Sequence, residues 1–199
     1  QPCTILASWD RRQTIDSVGA HIFNQFWNNA RELRDHYAIP FKIDDPIHTP
    51  NGLTISEQAT RDYIMVSLQA AVDSLAGASI PLNAQWGDVQ FAVRNGQKIG
   101  IPGGAGGQGM FSVITSRFNA DNGGYSSITH GNSYIQTVTW SEKGSPITKA
   151  ILTYSQSPEP DSEFYSDMTE LYSQSQWIDL PFTEEEIAAE QIKMEVLRF

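Results

Sequence analysis

The sequence holds one cysteine, Cys3, so no disulfide bond can form within it. A buried thiol is the expectation, and a bridge to a cysteine of another chain is the alternative. Basic residues are also scarce, because 13 Lys and Arg stand against 23 Asp and Glu, the net charge is -10, and no basic run occurs. Nucleic acid and anionic membrane surfaces are therefore not expected as partners, since both are bound by clustered Lys and Arg.

Long hydrophobic runs are absent, and none approaches the ~18 residues of a membrane-spanning helix. The start, Gln1-Pro2-Cys3, has neither the charged head nor the long apolar body of a secretory signal, as expected of a mature exported protein or an internal fragment. Hydrophobic residues nevertheless make up 40% of the 199 residues. A chain of this length can bury roughly 70% of its unfolded surface.

The first part of the chain, residues 1–80, is predicted to be mainly helical. Apolar residues recur there every three or four positions, as on one face of a helix. The two stripes are Val18, Ile22, Phe26, Ala30 and Leu33, followed by Ile64, Leu68, Val72 and Leu75. Ser56 is the expected N-cap of the second helix, and Gly77 is its expected end.

Residues 85–155 are predicted to be mainly strands, with a tight hairpin turn at Asn95-Gly96. Two of these strands, within 110–118 and 146–154, are apolar in both alternating sets of side chains. This pattern favours burial on both faces inside a layered fold. Residues 163–195 are predicted to form a helical tail. The order of helices, strands and helices indicates an α+β fold.

A glycine-rich segment, "GAGGQG" from Gly104 to Gly109, matches the spacing of a dinucleotide-binding loop. That motif requires a helix directly after the glycines, whose N-terminus holds the pyrophosphate. Here "MFSVITSRF" follows and is expected to be a strand. A flexible or tightly packed loop is therefore the favoured interpretation.

The four histidines show no metal-binding spacing with one another or with Cys3. His21 lies off the apolar stripe and is expected at the surface or behind a functional group. His36 is expected at a helix end, His48 in a proline loop, and His130 at the start of a strand. A catalytic role of His130 would require a nucleophile within reach.

Three acidic segments invite a metal or catalytic interpretation: Asp44-Asp45, Asp121-Asn122 and Glu184–Glu186. Neither aspartate pair has the alternating acids and distal glutamate of a calcium loop, so solvated turns are expected. The glutamates fall in the first turn of a predicted helix, where the dipole favours them. Thr183 and Glu186 are placed for a capping box. A Gly-x-Ser-x-Gly nucleophile motif is absent.

The C-terminal half carries several short motifs in a fixed order. They are Gly131-x-Ser133, the turn Ser155-Gln156-Ser157, the segment Pro160-x-Ser162-x-x-Tyr165-x-Asp167, and Leu180-x-Phe182. This order resembles the C-terminal end of the penicillin acylase family. Two positions depart from the family pattern. This chain has Ser155 where many members have Gly, and Phe164 where many have His.

Earlier segments resemble the same family. Residues 85–104, "QWGDVQFAVRNGQKIGIPGG", are similar to its Trp-Gly-Asp strand, basic hairpin and Pro-x-Gly-Gly turn. Residues 3–27 are similar to the Cys-x-x-Leu-x-x-Trp-Asp helix of the subgroup of aculeacin and N-acyl-homoserine-lactone acylases. The resemblance covers nearly the whole chain, and the order of its motifs is more specific than any single one.

The resemblance implies a four-layer αββα sandwich of the N-terminal-nucleophile (Ntn) hydrolases. Residues 1–199 would be the C-terminal segment of the large (β) subunit and not an independent domain. In that family an autoproteolytically processed precursor (a zymogen) frees a serine, which attacks an amide with its own α-amine as base. Gln1 carries a carboxamide and cannot be that nucleophile, so no catalytic residue is assigned to this chain. Substrate-binding residues stay unassigned, and no metal or cofactor is implied.

The expected activity of the assembled enzyme is hydrolysis of N-acyl-homoserine lactones (quorum quenching), with β-lactams as further candidate substrates. The expected partners are the remaining β-subunit segment and the α subunit of the same precursor, and the expected location is the periplasm. The polar stretch 152–172 is expected to be scaffold, tied by local side-chain hydrogen bonds.

Two alternatives remain open. One is a penicillin or cephalosporin acylase of the same family. The other is a stand-alone carbohydrate- or peptide-binding module that grips its ligand with Trp86, Trp140 or Trp177.

Overall fold

The structure, a computed structural model, describes residues 1–198. The α-helices are α1 (Pro2–Ser8), α2 (Ala20–Asn29), α3 (Gln58–Gly77), α4 (Trp86–Val89), α5 (Asp167–Ser173) and α6 (Glu184–Glu190). The strands are β1 (Tyr37–Ile39), β2 (Asn51–Leu53), β3 (Phe91–Arg94), β4 (Gln97–Gly100), β5 (Ile114–Asn119), β6 (Gly124–Gly131), β7 (Tyr134–Trp140), β8 (Pro146–Leu152) and β9 (Ile178–Leu180). Short 3₁₀ turns lie at Arg31–His36, Gly106–Gln108 and Ala120–Asn122. The mixture of helices and antiparallel strands is α+β, as predicted.

The first predicted helix is divided in two. Helix α2 ends at Asn29, and the 3₁₀ turn Arg31–His36 continues the chain. The adjacent asparagines Asn28 and Asn29 are poor helix formers, which suits an end at this point. Ala30 and Leu33 are nevertheless buried, as their places in the predicted stripe require.

Helix α3 follows its predicted stripe, since Leu68 and Leu75 are buried. The prediction of Ser56 as its cap is wrong. The N-cap position is Glu57, no side chain bonds the free N–H groups there, and the helix ends at Gly77 as predicted. Within residues 1–198 no helix combines the length and the apolar character needed to cross a lipid bilayer.

Local turn chemistry determines the β3–β4 hairpin as predicted. Asn95 and Gly96 have φ values of 48° and 76°. A two-residue turn with positive φ at both positions matches the right-handed twist of the strands it joins. Arg94 lies opposite Gln97, so the register is the tightest that the turn allows.

The strands form four separate antiparallel sheets within the described residues, namely β1-β2, β3-β4, β5-β6 and β7-β8-β9. The expectation that two strands are covered on both faces is not met in this chain. Phe111 precedes β5 and is 82% exposed, and Ile147 in β8 is 47% exposed. The outer faces stay open because no element of residues 1–198 is layered over them.

Two apolar clusters hold the elements together. The helical core joins α2, α3 and α4 to the start of β6, and the strand core joins β4, β5, β7, β8 and α5. The buried members of the helical core are Ala20, Ile22, Leu68, Leu75, Ile80, Trp86, Val89 and Tyr125. Those of the strand core are Ile99, Ile101, Ile114, Ile135, Ile151 and Tyr172.

Truncation of Leu75 tests the helical core. The side chain is fully buried, so Leu75→Ala is expected to lower the free energy of unfolding by about 2–5 kcal/mol through lost burial and the cavity left behind. Met65 lies on the same helix and is 58% exposed, so Met65→Ala is the control and should cost less than about 0.5 kcal/mol. Urea unfolding followed by tryptophan fluorescence measures both. Equal costs would contradict the packing described here.

Candidate functional site

The main chain that leads into the glycine-rich segment lies where the two cores meet. The Gly103 carbonyl accepts hydrogen bonds from Trp86 Nε1 at 3.0 Å and from Gln90 Nε2 at 2.9 Å. Gln90 Nε2 also donates to the Ile101 carbonyl at 2.8 Å. Trp86 and Gln90 are almost fully buried. These bonds are therefore shielded from competing water and hold the chain in one place.

A chain of amide side chains extends this network to the N-terminal segment and α2. The Gly103 N–H donates to the Gln13 carbonyl at 2.8 Å. Gln13 Nε2 donates to Gln108 Oε1 at 3.0 Å, and Gln108 Nε2 donates to Asn24 Oδ1 at 2.8 Å. Asn24 Nδ2 ends the chain at the Ala20 carbonyl, 2.9 Å away. The glycine-rich loop is thus tied to two distant segments through Gln108, while Ala105, Gly106, Gly107 and Gly109 are exposed.

Helix α5 contributes a tyrosine to the same place. Tyr172 donates its phenol proton to the Pro102 carbonyl at 3.0 Å, and its oxygen lies 2.5 Å from Ser112 Oγ. Burial raises the pKa of Tyr172, so the phenol stays protonated at neutral pH. We call this set of residues the glycine-loop cluster: Gln13, Trp86, Gln90, Pro102, Gly103, Gly104, Gln108, Ser112 and Tyr172.

A groove with a volume of about 330 Å³ opens beside the cluster. Apolar side chains line much of it, among them Met110, Phe111, Ile135 and Trp177. Its polar lining comes from Arg12 and from hydroxyl and amide groups, with no Asp, Glu, His or Cys among the lining residues. The groove can hold an apolar group, but its walls offer no general base at neutral pH.

One contact in the described chain has the geometry of a nucleophile and its base, and the sequence did not reveal it. Thr60 Oγ1 lies 2.8 Å from His36 Nδ1 and 2.9 Å from Thr54 Oγ1. Thr60 has no exposed surface, so a substrate carbonyl cannot reach its oxygen. The contact ties the end of the 3₁₀ turn to α3, and the 24-residue separation explains why no local motif marked it.

The other histidines lie apart from the cluster. The prediction that His21 lies at the surface or behind a functional group is wrong, since it is fully buried and its Nε2 donates to the Pro81 carbonyl at 3.1 Å. Helix α2 is enclosed beyond its apolar stripe, which the stripe alone could not show. His130 lies at the end of β6 and not at a strand start, and it is exposed. His48 is exposed and contacts Asp45 at 2.7 Å.

Cys3 and Trp86 also differ from expectation. Cys3 is exposed, because α1 turns Ile5 and Leu6 toward the helical core instead. Trp86 is 1% exposed and so cannot grip a ligand. Of the other tryptophans named with it, Trp140 is 66% exposed.

The acidic segments show no convergence on a common centre. Within residues 1–198, His, Cys, Asp and Glu do not gather in groups of three or more that could hold a metal ion. Asp44 and Asp121 are exposed. The capping box at α6 is present as predicted, with Thr183 Oγ1 accepting from the Glu186 N–H. Donation from the N–H groups of Phe182 and Thr183 lowers the pKa of Glu186.

The hydroxyl-rich stretch 152–172 contains the local hydrogen bonds predicted for it. Thr169 donates from Oγ1 to the Thr153 carbonyl and from its N–H to Ser155 Oγ, both at 3.0 Å. Ser155 has φ 61°, a left-handed conformation in which glycine is favoured. Glycine would adopt this conformation without strain.

The β3–β4 hairpin is docked against the same stretch. Asn95 Nδ2 donates to the Pro160 carbonyl at 2.8 Å. The Arg94 guanidinium lies 4.8 Å from the ring centre of Tyr165 and 5.3 Å from that of Tyr154, so cation–π attraction adds to the bond. The basic hairpin and the polar stretch therefore form one structural unit.

Comparison with known proteins identifies the family to which these motifs belong. Residues 1–189 match the family described as penicillin amidase. The chain belongs to the penicillin amidase family. Over 189 residues it is 34% identical to the acyl-homoserine lactone acylase PvdQ of Pseudomonas syringae pv. syringae strain B728a. The aligned region covers 94% of this chain and 24% of that protein.

Two further relatives support the same family assignment. A PvdQ acylase of Pseudomonas fluorescens strain Pf0-1 is 33% identical over 98% of this chain and 25% of its own length. Aculeacin-A acylase of Actinoplanes utahensis is 34% identical over 94% of this chain and 22% of its own length. The chain therefore spans about a quarter of the length of the curated relatives it matches.

Two glycines of the cluster are closely approached by other groups, Gly103 by main chain and Gly104 by the end of the Gln13 side chain. Gly103 has φ 93°, and an added Cβ would lie 2.4 Å from the Ser112 carbonyl oxygen. A Cβ on Gly104 would lie 1.7 Å from Gln13 Oε1. At Gly107 a Cβ would meet nothing within 4 Å.

Substitution at these glycines tests the cluster. Gly103→Ala should destabilise the fold by at least about 2 kcal/mol, because it combines a strained φ with a clash against main chain. Gly107→Ala is the matched control in the same loop and should change stability by less than about 0.5 kcal/mol. Thermal unfolding of both variants is the measurement. A Gly103→Ala variant as stable as the control would show that the loop is not held as described.

The buried His21 predicts a pH dependence of stability. Burial lowers the pKa of His21 below its ordinary 6.5, against the opposing bond to Pro81. In acid the unfolded chain therefore binds a proton that the folded chain does not. The free energy of unfolding should fall as pH drops below about 6.5, by at most about 1.4 kcal/mol per pH unit.

Urea unfolding at several pH values measures this effect. His21→Gln keeps an N–H donor for the Pro81 carbonyl but cannot titrate, so its stability should lose this part of the pH dependence. The exposed His48→Gln is the control and should retain it. Identical slopes for His21→Gln and the unaltered protein would contradict the assignment.

Proposed function

We propose that this chain is the C-terminal part of the large (β) subunit of an N-terminal-serine acylase that hydrolyses the amide bond of N-acyl-homoserine lactones. The observation that carries the proposal is its similarity, over almost all of its residues, to acyl-homoserine lactone acylases. The described residues are consistent with a supporting role. The glycine-loop cluster holds main chain in place, and Thr60, the hydroxyl of the one contact with the geometry of a nucleophile and its base, is fully buried.

In the proposed mechanism, the reactive serine lies at the N-terminus of the large subunit, in the part of the acylase that precedes this chain. Its hydroxyl attacks the amide carbonyl while its own α-amine accepts the proton. Hydrogen-bond donors stabilise the oxyanion, the homoserine lactone amine leaves, and water hydrolyses the acyl-enzyme. This chain contributes strands of a four-layer αββα sandwich and helices that cover them.

The proposal extends to assembly and location. The remaining β-subunit segment and the α subunit of the same autoproteolytically processed precursor are the partners, and the bacterial periplasm is the compartment. The exposed apolar side chains of this chain support such an assembly, because a lone soluble domain rarely leaves so many uncovered.

A second candidate is an acylase that releases a different amine. Aculeacin-A acylase is as similar to this chain as the lactone acylases are. Aculeacin A and β-lactams such as penicillin G are therefore the competing substrates. One apolar groove that can hold an acyl chain would serve either substrate class, so the leaving group must decide between them.

The test is a comparison of kcat/KM on the processed, full-length acylase. Long-chain acyl-homoserine lactones, aculeacin A and penicillin G are assayed side by side, and the lactones are expected to react at least about tenfold better than either competitor, a difference in transition-state stabilisation of about 1.4 kcal/mol. Replacing the N-terminal serine of the large subunit by alanine is the control and should abolish turnover. Absence of lactone hydrolysis by the processed enzyme, or hydrolysis by this chain alone, would refute the proposal.

A further inference from the structure

Strand β7 lies at one edge of the sheet β7-β8-β9. It pairs with β8 along its whole length, from Tyr134 opposite Leu152 to Trp140 opposite Pro146. No strand within residues 1–198 pairs with its other side. A seven-residue strand therefore has one long, unpaired edge.

The hydrogen-bond register shows which residues face that edge. The Thr153 N–H donates to the Ser133 carbonyl at 3.1 Å, one step before the paired strands. The Ser141 N–H donates to the Ser145 carbonyl at 2.8 Å, one step after them. Because bonded and non-bonded pairs alternate along antiparallel strands, the odd-numbered residues of β7 bond to β8. The even-numbered residues direct their N–H and C=O groups to the free edge, and they are Tyr134, Gln136, Val138 and Trp140.

The free edge of β7 lacks the features that normally prevent strand pairing. Native edge strands are short, bulged, charged or interrupted by proline. Strand β7, "YIQTVTW", has no charged residue and no proline, and its register with β8 is continuous. The opposite edge of the sheet differs, since β9 has three residues, includes Asp179 and is followed by Pro181. The β9 edge of the sheet is therefore protected against pairing with a further strand, and the β7 edge is not.

The face of β7 that carries its even-numbered side chains is open and, apart from Gln136, apolar. Tyr134 is 52% exposed, Val138 46% and Trp140 66%. Across the sheet, Val138 and Leu180 both lie beside Thr148, and Leu180 is 37% exposed. An added strand would find both unpaired main-chain groups and an apolar surface that continues from β7 to β9.

We propose that the free edge of β7 binds an extended strand from the part of the acylase outside this chain. This strand would run beside Tyr134–Trp140, bond to the four even-numbered residues, and place alternate apolar side chains beside Val138 and Trp140. The inference rests on the proposal that this chain is one part of a larger acylase. Its relatives are about four times as long as the segment they share with it, so most of such an enzyme is available to supply the strand.

Hydrogen exchange on the processed, full-length acylase tests the inference with an internal control. Amides of Thr137 and Thr139 bond to β8 and should be protected in any case. Amides of Gln136, Val138 and Trp140 should exchange at least about 100-fold more slowly than unstructured peptide if a strand covers them. Fast exchange at these three amides beside protected Thr137 and Thr139 would overturn the inference. So would protection that is lost on tenfold dilution, because the strand would then come from a second copy.

A matched pair of variants provides an independent readout. Val138→Pro removes an N–H that faces the free edge and leaves the bonds to β8 intact. It should lower the yield of assembled, processed acylase at least about tenfold, because the added strand loses its central bond and meets the proline ring. Val138→Thr keeps the N–H and the branched shape and should assemble normally. Normal assembly of Val138→Pro would contradict the inference.

These outcomes are separable from the test of activity. Protected even-numbered amides in an acylase that does not cleave acyl-homoserine lactones would leave the strand inference standing and refute only the proposed substrate. Unprotected amides in an acylase that does cleave the lactones would refute only the strand inference.

Discussion

The structure depends on the hydrogen bonds that converge on the Gly103 carbonyl. Trp86 and Gln90 reach it from the helical core, and the neighbouring Pro102 carbonyl accepts from Tyr172 of the strand core. The N–H of Gly103 holds the N-terminal segment through Gln13. Since a buried carbonyl without a partner is costly, each of these contacts supports the others. The two cores are thereby joined at one main-chain position.

The side chains that make these bonds suit a structural role at this position of the chain. Its buried polar side chains near the loop are amides, hydroxyls and an indole, which hold geometry without changing charge between pH 5 and 8. His21 is buried and donates to the Pro81 carbonyl. Apolar surface, by contrast, faces outward along β7 and the adjacent strands.

Features governed by neighbours in sequence were predictable. The Asn95-Gly96 turn, the α6 capping box and the Leu68–Leu75 stripe each arise from residues a few positions apart, whose spacing alone defines the geometry. Family membership was predictable for a related reason, because the order of several short motifs survives even where each one is weak. The hydrogen bonds of 152–172 were expected from its density of hydroxyl side chains.

The amino-acid sequence by itself determined the α+β class, the Asn95-Gly96 turn, the capping box of α6 and the family. Only the tertiary structure decided that His21 and Trp86 are buried, that Cys3 is exposed, and that Gln13, Gln108 and Asn24 form one chain of amides. Burial and such long-range bonds depend on which surfaces of distant segments meet. Which surfaces meet is decided by the packing of the whole chain, so the spacing of residues along the sequence does not predict it.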